Sequence, residues 1–168
     1  MGKGPRVRIH IHMHDIKDLD ADAVIVGFHE DVRPLKGAAG ALDWLLCGAL
    51  SHLIIRKKVR GALGEVALLT SKGKIPAAKI FMVGLGKSGS SQPGSLRVAA
   101  RAAAESAVNA GVARAAMDCF PLGGMPSGEA LTAVRTGLAE GAGAHAIDFA
   151  LLAADTAAFE QMTRVVRA

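Results

Sequence analysis

Residues 79–89 read Lys-Ile-Phe-Met-Val-Gly-Leu-Gly-Lys-Ser-Gly. The first part is an apolar run without alternation, which a strand can carry only if both of its faces are covered. It then breaks into a glycine loop, and an alanine-rich stretch with helical spacing follows. Residues 22–28, Asp-Ala-Val-Ile-Val-Gly-Phe, repeat the apolar run. Two such strands require helices on both sides of one sheet, so the chain is predicted to be a layered α/β protein. Its 168 residues are 51% hydrophobic, yet only 4% are aromatic. Alanine and glycine make up much of the apolar count, which suits close helix–sheet contacts. The length supports one sizeable core, and residues 1–168 are read as a single domain.

The remaining elements follow from period and punctuation. Residues 6–13 alternate polar and apolar, as in a half-buried strand. Residues 36–57 read as one long helix with Leu42, Leu46, Ala49, Leu50 and Leu53 on its inward stripe. Strands are predicted at 64–70 and 79–85, joined by a Lys/Gly/Pro turn. A helix at 95–111 carries a wet row of Arg97, Arg101, Glu105 and Asn109, with Gly111 as its terminator. A strand at 114–120 leads into the loop Pro121-Leu-Gly-Gly-Met-Pro126, and Ser127 opens a helix reaching about Gly143. A last strand covers 146–153, and Asp155 caps a helix that turns Phe159, Met162, Val165 and Val166 inward. Strand–helix alternation in the second half predicts parallel crossovers. The extra strands of the first half predict a mixed sheet.

The formal charge is +5 and the isoelectric point about 9.6. The densest basic run is Arg56, Lys57, Lys58 and Arg60, where a helix end also favours cations. The chain has no tyrosine to stack on bases, so a nucleic-acid surface is disfavoured. No run approaches the roughly 18 apolar residues of a membrane span, and the amino terminus lacks the apolar core of a secretory signal. Cys47 and Cys119 are too few for a disulfide framework or a zinc site. A cytoplasmic protein without membrane contact is expected.

Three stretches carry a family likeness: Ala21-Asp-Ala-Val-Ile-Val-Gly-Phe, Gly40-Ala-Leu-Asp-Trp-Leu-Leu-Cys-Gly-Ala-Leu-Ser-His-Leu, and Ile80-Phe-Met-Val-Gly-Leu-Gly-Lys. In order and spacing they resemble the amino-terminal domain of the leucyl aminopeptidases. The resemblance implies a macro-domain-like, three-layer α/β/α fold with a mixed sheet. In that family the domain lies at the periphery of a hexamer and contributes to subunit contacts, and in some bacterial members it helps to bind DNA. The family's catalytic signature, Asn-Thr-Asp-Ala-Glu-Gly-Arg, and its metal-holding Lys and Asp/Glu set have no counterpart here. A two-metal hydrolase needs several convergent carboxylates. The chain is therefore expected to be no enzyme, with no catalytic residue, cofactor or metal.

Two constellations remain as candidate sites. Gly84, Gly86, Lys87, Ser88 and Gly89 fit a G-x-G-x-x-G loop after a strand, where backbone amides can approach a phosphate. Against this, the helix is predicted to begin only at Ser95, and the loop can equally be a tight structural turn. A small phosphorylated ligand is one reading of it. ADP-ribose, which the macro-like fold raises, meets Gly27-Phe-His-Glu-Asp31 where binding members carry Asn-Ala-Ala-Asn. Gly123 and Gly124 offer a second glycine pair, but Pro121 and Pro126 make a rigid turn the simpler account. His10, His12 and His14 share one strand face, read as a solvent-facing strand at a sheet edge. Glu30 and Asp31, beside His29, lack a nucleophile or metal partner for catalysis. The second candidate is Trp44, which on a continuous helix falls opposite the leucine stripe with Gly48 and Ile55. An outward tryptophan beside a small residue fits an interface for self-association or a protein partner; an internal layer folding over it is the alternative.

Overall fold

The structure, a computed structural model, describes residues 6–90, 92–118, 120 and 128–168. Six strands, β1 (Val7–His12), β2 (Ala23–Phe28), β3 (Val66–Thr70), β4 (Lys79–Gly84), β5 (Arg114–Asp118) and β6 (Ile147–Leu152), form one sheet in the order β1-β6-β5-β2-β4-β3. β3 runs antiparallel to β4, and the other neighbours are parallel. The sheet is mixed as predicted, with the antiparallel strand in the first half. β2 pairs with both β4 and β5, and all six of its residues are buried. Its run of apolar residues thus feeds two cores. Ala23 and Ile25 join one, while Val24, Val26 and Phe28 join the other.

Helices α3 (Pro93–Asn109), α4 (Gly128–Ala142) and α5 (Thr156–Arg167) cover the first core. The alanines are explained by how closely α3 and α4 meet. A Cβ on Gly137 would stand 2.3 Å from the Arg97 carbonyl oxygen, and one on Gly141 would stand 2.2 Å from that of Arg101. Ala100, Ala103, Ala104 and Ala107 of α3 are fully buried on this side, while Arg97, Arg101, Glu105 and Asn109 stay wet. α3 starts at Pro93, two residues before the predicted Ser95, because proline's fixed φ and missing N–H suit the first helical position. It ends where Gly111, at φ 74, lets Gly111 N–H donate to Val108 O and Val112 N–H to Ala107 O. Asp155 caps α5 by accepting the Ala158 N–H at 2.8 Å.

The predicted long helix at 36–57 is instead two helices, α1 (Gly37–Leu45) and α2 (Ala49–Ile55), bent by 105°. Cys47 and Gly48 take positive φ values of 55 and 83, which stops the helical ladder. Asp43 fastens the corner: its carboxylate accepts both the backbone N–H and the hydroxyl of Ser51, and its carbonyl accepts the Gly48 N–H. It thereby caps α2 from the preceding helix, a job Gly48 at the N-cap has no side chain to do. The leucine stripe survives the break: Leu42 and Leu50 are fully buried, and Leu46 and Leu53 pack on the second core. No single helix among the described residues is long and apolar enough to cross a membrane. Cys119, the loop with Pro121, Gly123, Gly124 and Pro126, and the Ser127 cap lie outside the described residues.

Candidate functional site

Parallel sheets place ligands at the carboxyl ends of their strands, where neighbouring connections diverge to opposite faces. Such divergence occurs on both sides of β2, whose chain turns to α1: toward β5, whose chain leads to α4, and toward β4, whose chain turns to α3. The glycine loop sits at the β2–β4 side. The Leu85 N–H donates to Phe28 O at 2.9 Å, and the Gly86 carbonyl accepts the Glu30 N–H at 3.1 Å, with His29 Nδ1 also 3.1 Å away. The Gly86 N–H donates to Gly61 O at 2.9 Å. Segment 60–65 is drawn in as well: Glu65 Oε2 accepts the Arg60 and Gly61 N–H groups, and the Arg33 guanidinium donates to the carbonyls of His29, Val32 and Arg60.

Gly84, Gly86 and Ser88 of the glycine pattern each have a local cause. Gly84 abuts the chain at Ala62, where a Cβ would lie 2.0 Å from the carbonyl oxygen. Gly86 has φ +72, a backbone conformation that side chains disfavour. Ser88 begins a short 3-10 turn, Ser88–Ser90. Its N–H and hydroxyl both donate to the Asp31 carboxylate, at 2.9 Å each. These two bonds hold the Asp31 carboxyl below the usual carboxylate range, the backbone one contributing most. An anion thus already lies on the Ser88 amide, and it belongs to the protein itself. Lys87, Ser88 and Gly89 are exposed, and no Cβ contact constrains Gly89.

Asp118 ends β5 on the far side of β2. Its Oδ1 is buried and has no hydrogen-bond partner among the described residues. Burial pushes its carboxyl up to about 7, only partly offset by its own amide and that of Gly27. A lone acid closing the run Ala115-Ala-Met-Asp118 is its sequence signal, one that reads equally as an ordinary strand end. Among the described residues, no group of three or more His, Cys, Asp or Glu side chains is placed to hold a metal ion. His10 and His12 do sit on the edge strand β1, with the His12 and His14 ring centres 6.2 Å apart. Burial, then the neighbouring His10 and His14, lower the His12 pKa.

The Trp44 candidate has the opposite character. Trp44 is 87% exposed and Ile55 is 74% exposed. No described layer covers the tryptophan. Because the helix breaks between them, Trp44 lies on α1 and Ile55 on α2, so the single outward helix face is not what joins them. Gly48 serves the corner through its positive φ, and a Cβ there would meet nothing within 4 Å.

An order of β1-β6-β5-β2-β4-β3 with helices on both faces is a macrodomain-like α/β fold. The Oceanobacillus iheyensis macrodomain, in a mutant form, superposes with a TM-score of 0.77 at 14% identity, over 94% of this chain and 89% of that one. A mutant tomato leucine aminopeptidase superposes with a TM-score of 0.76 at 21% identity, over 99% of this chain but 36% of the enzyme. Residues 25–144 match the family described as the cytosol aminopeptidase family, N-terminal domain, and the chain belongs to it. A probable cytosol aminopeptidase of Geobacter sulfurreducens is 34% identical over 119 residues, covering 70% of this chain and 24% of the relative. One of Alkaliphilus oremlandii is 33% identical over 81 residues, covering 48% of this chain and 16% of the relative. The chain thus spans a quarter or less of the length of these two bacterial relatives, and the family model it matches is that of the N-terminal domain.

Proposed function

We propose that this macrodomain-type unit is a non-catalytic assembly module that docks on itself or on a protein partner through the α1–α2 hairpin. The observation that carries the reading is Trp44 at 87% exposure. A tryptophan offers more apolar contact area than any other side chain and is enriched at interface hot spots. Asp43 stiffens the hairpin beneath it, so the tryptophan is presented on a corner held by hydrogen bonds. Both features favour docking over a solvent-facing accident. The relatives' aminopeptidase activity is not part of this reading, which concerns the N-terminal domain alone. Their naming as cytosol enzymes supports a cytosolic setting.

Binding of a phosphorylated ligand at 84–89 ranks second. It would have to displace Asp31 from Ser88, at a cost in two charge-assisted hydrogen bonds. Sedimentation of the purified chain tests the first reading. The assembled mass is expected to fall in Trp44→Ala with the thermal melt unchanged. An identical mass profile in the two proteins overturns docking of the chain on itself through this hairpin.

A further inference from the structure

β1 closes one side of the sheet. Val7–His12 pairs with β6, and no described strand lies on its other side. Two bonds fix which main-chain groups the ladder uses: Ile147 N–H donates to Arg6 O at 3.0 Å, and Ala153 N–H donates to His12 O at 2.8 Å. In an extended strand the N–H and C=O of one residue point the same way, and successive residues alternate. Arg8, His10 and His12 therefore direct their main-chain groups toward β6. Those of Val7, Ile9 and Ile11 face outward along the open edge. A groove of about 320 Å³ runs beside it, between Ile9, Ile11 and the α5 residues Phe159 and Val166, which are only partly buried.

Natural edges are usually blocked by proline, by a bulge or by an unpaired charge. Val7–His12 holds no proline, and its ladder with β6 is regular over all six residues. Its one full charge, Arg8, is neutralised within the molecule by two bonds to Asp148, at 2.6 and 2.9 Å. We propose that this edge pairs antiparallel with the same edge of a second copy of the chain, about a two-fold axis at Ile9. The strand is self-complementary in that register. Ile9 meets its own symmetry mate and Val7 meets Ile11, so every residue with outward groups faces another and can exchange both bonds. Their side chains all lie on the α5 face, where the axis brings the two α5 helices to one seam and covers Phe159 and Val166. On the other face Arg8 opposes His10, with the Arg8 charge already answered by Asp148.

This interface is separate from the Trp44 hairpin, which packs on the opposite core. Sedimentation combined with residue-resolved amide exchange, both followed against protein concentration, tests it. A dimer is expected in which Val7, Ile9 and Ile11 exchange at least about tenfold more slowly than in the monomer, while Arg8, His10 and His12 are unchanged. Ile9→Pro removes an amide that the β6 ladder does not use and should abolish the dimer. Because Ile9 also packs in the core, Val166→Arg serves as a second variant. It leaves β1 intact and should weaken the dimer by at least about tenfold. A monomer at every concentration overturns the proposal, and so does a dimer whose edge amides keep the monomer's rates. A dimer that survives both edge variants but is lost in Trp44→Ala also overturns it, and leaves the hairpin reading standing.

Discussion

The glycine loop and the α1–α2 hairpin are both turns that follow an inner element, and both carry glycine at positive φ. They differ in where their polar and apolar groups end up. The loop spends its donors inward: Gly86 on Gly61, Ser88 on Asp31, with Arg33 and Glu65 knitting three segments together. The hairpin spends Asp43 on its own corner and leaves its largest apolar side chain in water. A glycine-rich motif and an exposed aromatic look alike as candidate sites in a sequence. In the folded chain one is satisfied and the other is not.

The largest expected effect lies at the strand end beside the loop. Asp118 keeps its proton up to about pH 7 when folded and loses it near pH 4 when unfolded. The folded chain therefore binds more protons between those limits, and stability should fall as pH rises through them, by roughly 4 kcal/mol at most. Asp118→Asn should flatten that slope and stabilise the chain at pH 8, as read by urea unfolding at several pH values. A titration in the ordinary carboxylate range would mean that this strand end is open to water or to a ligand. Next comes Gly84→Ala, whose Cβ would strike the Ala62 backbone at 2.0 Å. A loss of about 3 kcal/mol is expected. Near-neutral stability would free the glycine for a ligand role and break the contrast from the loop's side.

Asp43→Ala removes the side-chain cap of α2 and should cost about 1 kcal/mol. It should also weaken assembly, since it loosens the platform under Trp44; full assembly in that variant would detach the tryptophan from its corner. Trp44→Ala itself should shift stability by no more than about 0.5 kcal/mol, because an exposed side chain has little to lose on folding. A substantial loss of stability would mean that the tryptophan packs within its own chain.

Much of this fold was legible because period and punctuation agreed. The two inner strands, the mixed sheet, the wet row on α3, the Gly111 stop and the Asp155 cap all depend on local signals. The break at Cys47 and Gly48 was not legible, because the same leucines face the core whether the helix runs on or folds back. Asp43 and Ser51 look like ordinary polar positions until they meet across the corner. The loop posed a harder problem. Asp31 and Ser88 lie 57 residues apart, so nothing near 84–89 announces that its anion is supplied from within. Pro93 is a local signal for the start of α3, because proline prefers a first helical position.

Trp44 is the chain's single tryptophan, so its fluorescence reports on the hairpin without any substitution. The most direct measurement is its emission maximum across a wide range of protein concentration, alone and with candidate partners. An assembly module built on this corner predicts a water-like maximum when dilute that moves to shorter wavelength as the tryptophan is covered. A maximum that stays water-like while sedimentation shows species larger than the dimer expected of the β1 edge would contradict it.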